Sequence, residues 1–211
     1  MVEYVVAGGP VMIPILLCSV IGLAAFFERM WALRRDRVVP RSFAVELTEL
    51  ARQRRWNDAV TLCRKRDVVA ARVALSAIDA RGHDRPIIKE RLEEVGRREA
   101  ADLERFIPVL GTVASIAPLL GLLGTVGGMI VTFQVIQTEG LGNVGSLAGG
   151  ISQALITTFA GLCVGIPAVV GNRYLLSRVD SLLLDLEEVG LALLAELHGE
   201  RDDGATEAAT T

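Results

Sequence analysis

The chain has 211 residues, 51% of them hydrophobic, 5% aromatic and 22% charged, with a net charge of −3. The apolar residues are gathered into blocks of spanning length, which excludes an ordinary soluble domain and points to a membrane protein. Two histidines and three cysteines, with no CxxC pair and no Ser/His/Asp set, exclude a metal centre, a disulfide framework and a hydrolytic site, so neither a cofactor nor enzymatic activity is expected.

Three windows are long and apolar enough to cross a bilayer: residues 4–27, 107–136 and 147–170. The first lacks the basic start of a signal peptide, and Leu16-Leu17-Cys18 lacks the small residue of a lipoprotein cleavage site, so it is read as a retained helix ending at Glu28-Arg29. Residues 34–105 hold 18 of the 22 Lys and Arg, beginning with Arg34, Arg35, Arg37 and Arg41. Neither the segment before the first window nor the turn at 137–146 holds any. Basic loops remain cytoplasmic, which places the N-terminus and that turn outside and the 34–105 block and C-terminus inside. The block's 18 basic against 13 acidic residues are explained by topology, and no nucleic-acid motif accompanies them.

The expected architecture is an all-α membrane protein with three transmembrane helices, N-out and C-in. A helical cytoplasmic domain separates spans one and two, and a long cytoplasmic helix follows span three. The division is a first span at 1–33, a cytoplasmic domain at 34–105, a hairpin of spans two and three at 106–172, a C-terminal helix at 173–199 and a disordered polar tail at 200–211. Within the domain, helices are expected at 42–54, 56–66 and 68–81, the last closed by Gly82. A further helix starts at Asp84-Arg85-Pro86, with Ile88, Leu92, Val95, Leu103 and Phe106 at helical spacing, interrupted at Glu99. It is expected to run into the second span with a bend at Pro108. After the third span, Leu175, Val179, Leu182, Leu186, Val189 and Leu193 form a heptad seam. Copies of the same helix in an oligomer would cover this seam, or the chain's own cytoplasmic helices would.

Residues 106–171 carry one charged side chain, Glu139, in the turn. Small residues let membrane helices approach closely. Span two supplies Gly121, Gly124 and Gly128, and span three Gly161 and Gly165, with Gly124/Gly128 and Gly161/Gly165 in GxxxG register. Counted from the turn at ~1.5 Å per residue, Thr125 and Thr158 reach one depth, roughly 17 Å in, and Pro118 and Pro167 match in the same way nearer the other end. A hydroxyl at that depth either bonds back to its own helix or faces a cavity shared with its neighbour.

These segments resemble the proton-channel family of ExbB, TolQ and MotA, and most of all its ExbB/TolQ branch. The resemblance rests on APLLGLLGTV at 117–126, Met129, Phe133, the ALxTTxxGL run at 154–162, Gly165-Ile166-Pro167-Ala168 and Asn172. It implies a multi-pass protein of the bacterial inner membrane, assembled as a homopentamer around the single-span helix of an ExbD/TolR-like partner. That partner would supply the proton-carrying Asp, and the proton-motive force would drive a TonB/TolA-like or motor component. Thr125 and Thr158 match the family's pore-lining threonines. Gln153 is assigned with them, although many members have Glu there, and glutamine hydrogen-bonds without titrating. Gly171 stands where an aromatic often precedes the Asn. The three spans count against the four-span MotA branch. Spans two and three hold no Asp, Glu, His or Lys, so the chain by itself is not expected to conduct protons efficiently. The alternative is a membrane scaffold with the same fold and no ion flux.

Overall fold

The protein, here a computed structural model, is described over residues 8–140 and 144–208, with the side chains of Glu139, Val144, Ser146 and 198–208 left out of the description. Among the described residues the elements are helices: α1 (Met12–Ala32), α2 (Arg35–Val38), α3 (Arg41–Arg52), α4 (Trp56–Lys65), α5 (Val69–Asp79), α6 (Arg85–Glu104), α7 (Ile107–Glu139) and α8 (Val144–Ala208). Three of them, α1, α7 and α8, are long and apolar enough to cross a membrane. The chain is an all-α membrane protein.

The first helix begins later than hydropathy suggested. Gly9 has a φ of 69° and Pro10 follows it, so the backbone turns before α1 starts, with the Met12 N–H on the Gly9 carbonyl at 3.1 Å. The beginning of the expected window, residues 4–7, lies outside the described residues. The expected continuous run from α6 into the second span is also corrected. Phe106 takes a left-handed conformation (φ 66°, ψ −11°) and α7 starts afresh with Pro108 in its first turn. Proline has no N–H to continue the ladder and restricts the residue before it, so it begins a helix better than it extends one. Left-handed backbone costs a side-chain-bearing residue about 1–2 kcal/mol. Here the ring is held: the Arg29 guanidinium lies 5.4 Å from the Phe106 ring centre. Arg29 is itself only 7% exposed and donates to both Glu28 carboxylate oxygens at 2.6 and 2.7 Å.

The chain forms two compact units. One comprises the residues up to Arg29 with Phe106–Leu175, the other Met30–Arg105 with the residues from Leu176 onward. In the second unit, α3 packs on α4, α4 on α5 and α5 on α6. Phe43, Leu47, Ala59, Ala70, Ala74, Leu182 and Leu193 are all buried there. The apparent interruption of α6 at Glu99 is an inward-facing carboxylate, 5% exposed, gripped by Arg72 of α5 through Nε and an Nη at 2.7 Å each. Those hydrogen bonds raise the Arg72 pKa further above its ordinary value. Arg35 donates to Asp185 at 2.7 Å, and Arg178 donates to the Leu33 carbonyl at 3.4 Å. Burial pushes the Cys63 thiol up to about 11, which marks it as a structural cysteine.

Two covers were expected for the heptad seam after the third span, other copies of the chain or its own helices. Leu175, Val179, Leu182, Leu186 and Leu193 are 0–4% exposed within a single chain, and Val189 is half-buried. From Val179 onward the seam lies within the second unit, where Leu92 of α6 reaches the Gly190 backbone. The chain's own helices cover most of this stripe, the second of the two covers expected for it. The α8 backbone also continues through the boundary expected at 199 into the tail expected to be disordered, as far as Ala208.

Candidate functional site

The site is the hairpin of α7 and α8. Each helix buries a stripe with spacings of three and four: Ala117, Gly121, Gly124, Gly128 and Thr132 on α7, and Gly150, Ala154, Thr157, Gly161 and Gly165 on α8. The large side chains point the other way. Leu119, Leu122, Phe133, Leu155, Phe159 and Ile166 are each at least 58% exposed, as lipid- or partner-facing residues of a spanning helix are.

Glycine lets the two backbones touch. A Cβ at Gly161 would stand 2.6 Å from the Ala117 carbonyl oxygen and 2.9 Å from the Gly121 Cα; one at Gly121 would stand 3.1 Å from the Thr157 carbonyl oxygen. Gly128 faces Ala154 and the Gly150 carbonyl in the same way, at 2.9 Å. The Pro118 ring lies on Gly165, where a Cβ would meet its Cγ and Cδ at 2.5 and 2.7 Å. Gly121, Gly124, Gly128, Gly161 and Gly165 thus all lie in the interhelical contact, and Pro118 lies with them. Pro167 does not pair with Pro118; it is exposed, and Gly165 takes its place.

The hydroxyls divide by partner. Thr158 Oγ1 crosses the interface and donates to the Gly121 carbonyl at 3.0 Å. Thr125 lies one turn further along α7 and donates back to the Leu122 carbonyl at 2.7 Å. Both are half-buried, and no hydrogen bond joins them. Once its proton is committed to a carbonyl, a threonine hydroxyl still offers lone pairs to an outside donor. The arrangement can therefore accept a hydrogen bond from water or a protonated acid at two neighbouring points.

Thr157 and Thr132 were missed from sequence. Thr157 is fully buried, fills the notch above Gly124 and bonds back to Gln153 and Ala154 carbonyls at 3.0 and 2.9 Å. Thr132 lies over Gly150 and donates to the Gly128 carbonyl at 2.9 Å. The signal was available: both threonines fall on the three-and-four register that the glycines define, whereas Thr158 falls just off it.

Gln153 does not share the Thr158 face. Five residues separate them, about 140° around a helix of 3.6 residues per turn. The Gln153 amide lies against Gly9, where a Cβ would collide with Nε2 and sit 3.1 Å from Cδ, and Gly8 abuts Met12 and Thr157. The turn that precedes α1 therefore rests on the Gln153–Thr157 side of α8. Among the described residues no group of His, Cys, Asp and Glu could hold a metal ion.

The model of the MotA/TolQ/ExbB proton channel family matches residues 65–188. The ExbB-like 1 biopolymer transport protein of Synechocystis sp. is similar, with 34% identity over 178 residues, 81% of this chain and 68% of the relative. The biopolymer transport protein ExbB of Aquifex aeolicus is 39% identical over 88 residues, 42% of this chain and 60% of the relative. The Tol-Pal system protein TolQ of Haemophilus influenzae is 40% identical over 88 residues, 42% of this chain and 39% of the relative.

Proposed function

The chain belongs to the MotA/TolQ/ExbB proton channel family, in its ExbB/TolQ branch, and from that premise we propose that it is the channel-forming subunit of an inner-membrane machine that turns proton flow into mechanical work. Proteins of this branch serve biopolymer transport or Tol-Pal systems. The finer reading is a homopentamer, N-out and C-in, around a single-span ExbD/TolR-like helix, with the work passed to a TonB/TolA-like or motor component.

One observation carries this reading most directly: the Thr158 hydroxyl sits at the hairpin contact with its proton already placed on the Gly121 carbonyl, in two spans without Asp, Glu, His, Lys or Arg. Such a site accepts hydrogen bonds and carries no charge. A partner carboxylic acid, kept neutral by the low dielectric, could donate to Thr158 and Thr125 as it passes and ionise where water reaches it. The closely packed glycine seam supplies the rigid wall against which such a helix moves.

The test is proton flux in proteoliposomes under an imposed potential, with the complex co-purified with its single-span partner. Thr158→Val and Thr125→Val should each lower flux about tenfold, the equivalent of one hydrogen bond to a group that becomes charged, while Thr158→Ser keeps most of it. Full flux in both valine variants, or equal flux from this chain without its partner, would sink the proposal. Intact assembly with no flux in the native complex would favour the scaffold.

A further inference from the structure

Where the apolar stretch of α1 ends, a guanidinium lies over the face of an indole ring. Trp31 is 56% exposed and lies next to Ala32, the last residue of the span. The Arg37 guanidinium carbon sits 3.6 Å above its ring centre. Indoles concentrate at the level of lipid headgroups because the ring is apolar and its N–H is not. Arginine stacked on an indole uses one face of its plane, and its N–H edge stays free for a planar, two-point acceptor.

Neighbouring residues hold this pair in place. Arg35 is committed to Asp185 at 2.7 Å, and the one-turn α2 closes through Arg37 N–H to the Arg34 carbonyl at 2.9 Å and Val39 N–H to the Arg35 carbonyl at 2.8 Å. Arg34 and Arg37 are both exposed, and among the described residues no ion pair joins either to a carboxylate. Residues 31–41 contain four arginines against Asp36 alone. A preorganised guanidinium edge with spare positive charge beside an apolar flank fits a phosphate that carries acyl chains.

We propose that Trp31, Arg37 and Arg34 form a binding site for the phosphate headgroup of an anionic phospholipid. Phosphatidylglycerol is the natural probe, and inorganic phosphate the control that separates a lipid from free phosphate. The chain has two tryptophans, so in a Trp56→Phe background the emission of Trp31 reads the site directly.

The full-length protein in mild detergent, titrated with short-chain phosphatidylglycerol, should show a saturable change in Trp31 emission that phosphatidylcholine does not produce and inorganic phosphate does not compete away. Arg37→Gln should weaken the apparent affinity about fivefold, and Arg34→Gln with Arg37→Gln about 25-fold, from a contribution of roughly that size per arginine near an anionic surface. Arg37→Lys keeps the charge without the planar two-point edge and should fall between the native protein and Arg37→Gln. Unchanged helical content and gel-filtration profile confirm that the variants fold. Equal saturation by phosphatidylcholine, displacement by inorganic phosphate, or native affinity in Arg37→Lys would each overturn the proposal.

Discussion

Single residues in the hairpin have sharply unequal tolerances. At Gly161 a methyl group would meet three backbone atoms of α7, which cannot yield without moving the helix, whereas at Gly127, one face away, it would meet nothing within 4 Å. Gly161→Ala should therefore destabilise by about 1–3 kcal/mol as an overpacked contact does, seen as a lower melting temperature in detergent. Gly127→Ala should leave it unchanged or raise it slightly, since alanine is the better helix former. Equal melting temperatures for the two variants would contradict the contact geometry. Thr125 and Thr158 were legible as a depth-matched pair because depth follows from counting residues. That Thr158 bonds across the interface while Thr125 bonds back was not, because the choice depends on which carbonyl of the facing helix lies within reach.

The elements of the second unit carry two further tests. The end of α3 is a Schellman motif: Arg55 N–H reaches the Leu50 carbonyl at 3.0 Å, Arg54 N–H the Ala51 carbonyl at 2.9 Å, and Arg54 has a φ of 58°. Glycine takes that conformation without the Cβ penalty, so Arg54→Gly should stabilise the protein by about 1 kcal/mol, read as a rise in its urea midpoint. Between α5 and α6, the Glu99 side chain is 7% exposed and that of its partner Arg72 is 48% exposed. Removing Arg72 strands a buried carboxylate; replacing Glu99 with glutamine leaves a half-exposed guanidinium still within reach of Asp67 at 3.1 Å and of water. Arg72→Met should therefore cost more than Glu99→Gln, by about 1–3 kcal/mol in the same titration. The reverse order would mean the pair is a surface one. Helix existence in this unit followed from period and turn residues, with the short α2 overlooked. Glu99 was seen only as a flaw in a stripe, since its meaning depends on an arginine 27 positions away.

At the scale of the whole molecule, orientation is the property that charge sets. The 18 basic residues within 34–105 should hold that region in the cytoplasm. A fluorescent protein fused after the C-terminus should then fluoresce, and alkaline phosphatase inserted after Gly140 should be active. The opposite pattern would reverse the topology. Within α8, one continuous buried stripe changes character along the chain. It is Gly150, Ala154, Thr157, Gly161, Gly165 and Ala168 in the hairpin, then Val179, Leu182, Leu186, Leu193 and Leu197 beyond it. Small residues serve where attraction comes from close backbone packing in lipid, and branched aliphatics serve where burial from water drives association.

What the amino-acid sequence determined by itself is what depends on composition and local period: three spans, a glycine register between two of them, no acidic, basic or histidine side chain in that pair, and a family whose motifs run through it. The tertiary structure decided each matter in which a side chain's partner lies far along the chain. The heptad of α8 turned inward onto the protein's own helices, Gln153 turned toward Gly9, Pro118 met Gly165, and the helix broke at Phe106 under an arginine from α1. A period says which side of a helix is apolar or small; only the fold says what that side touches.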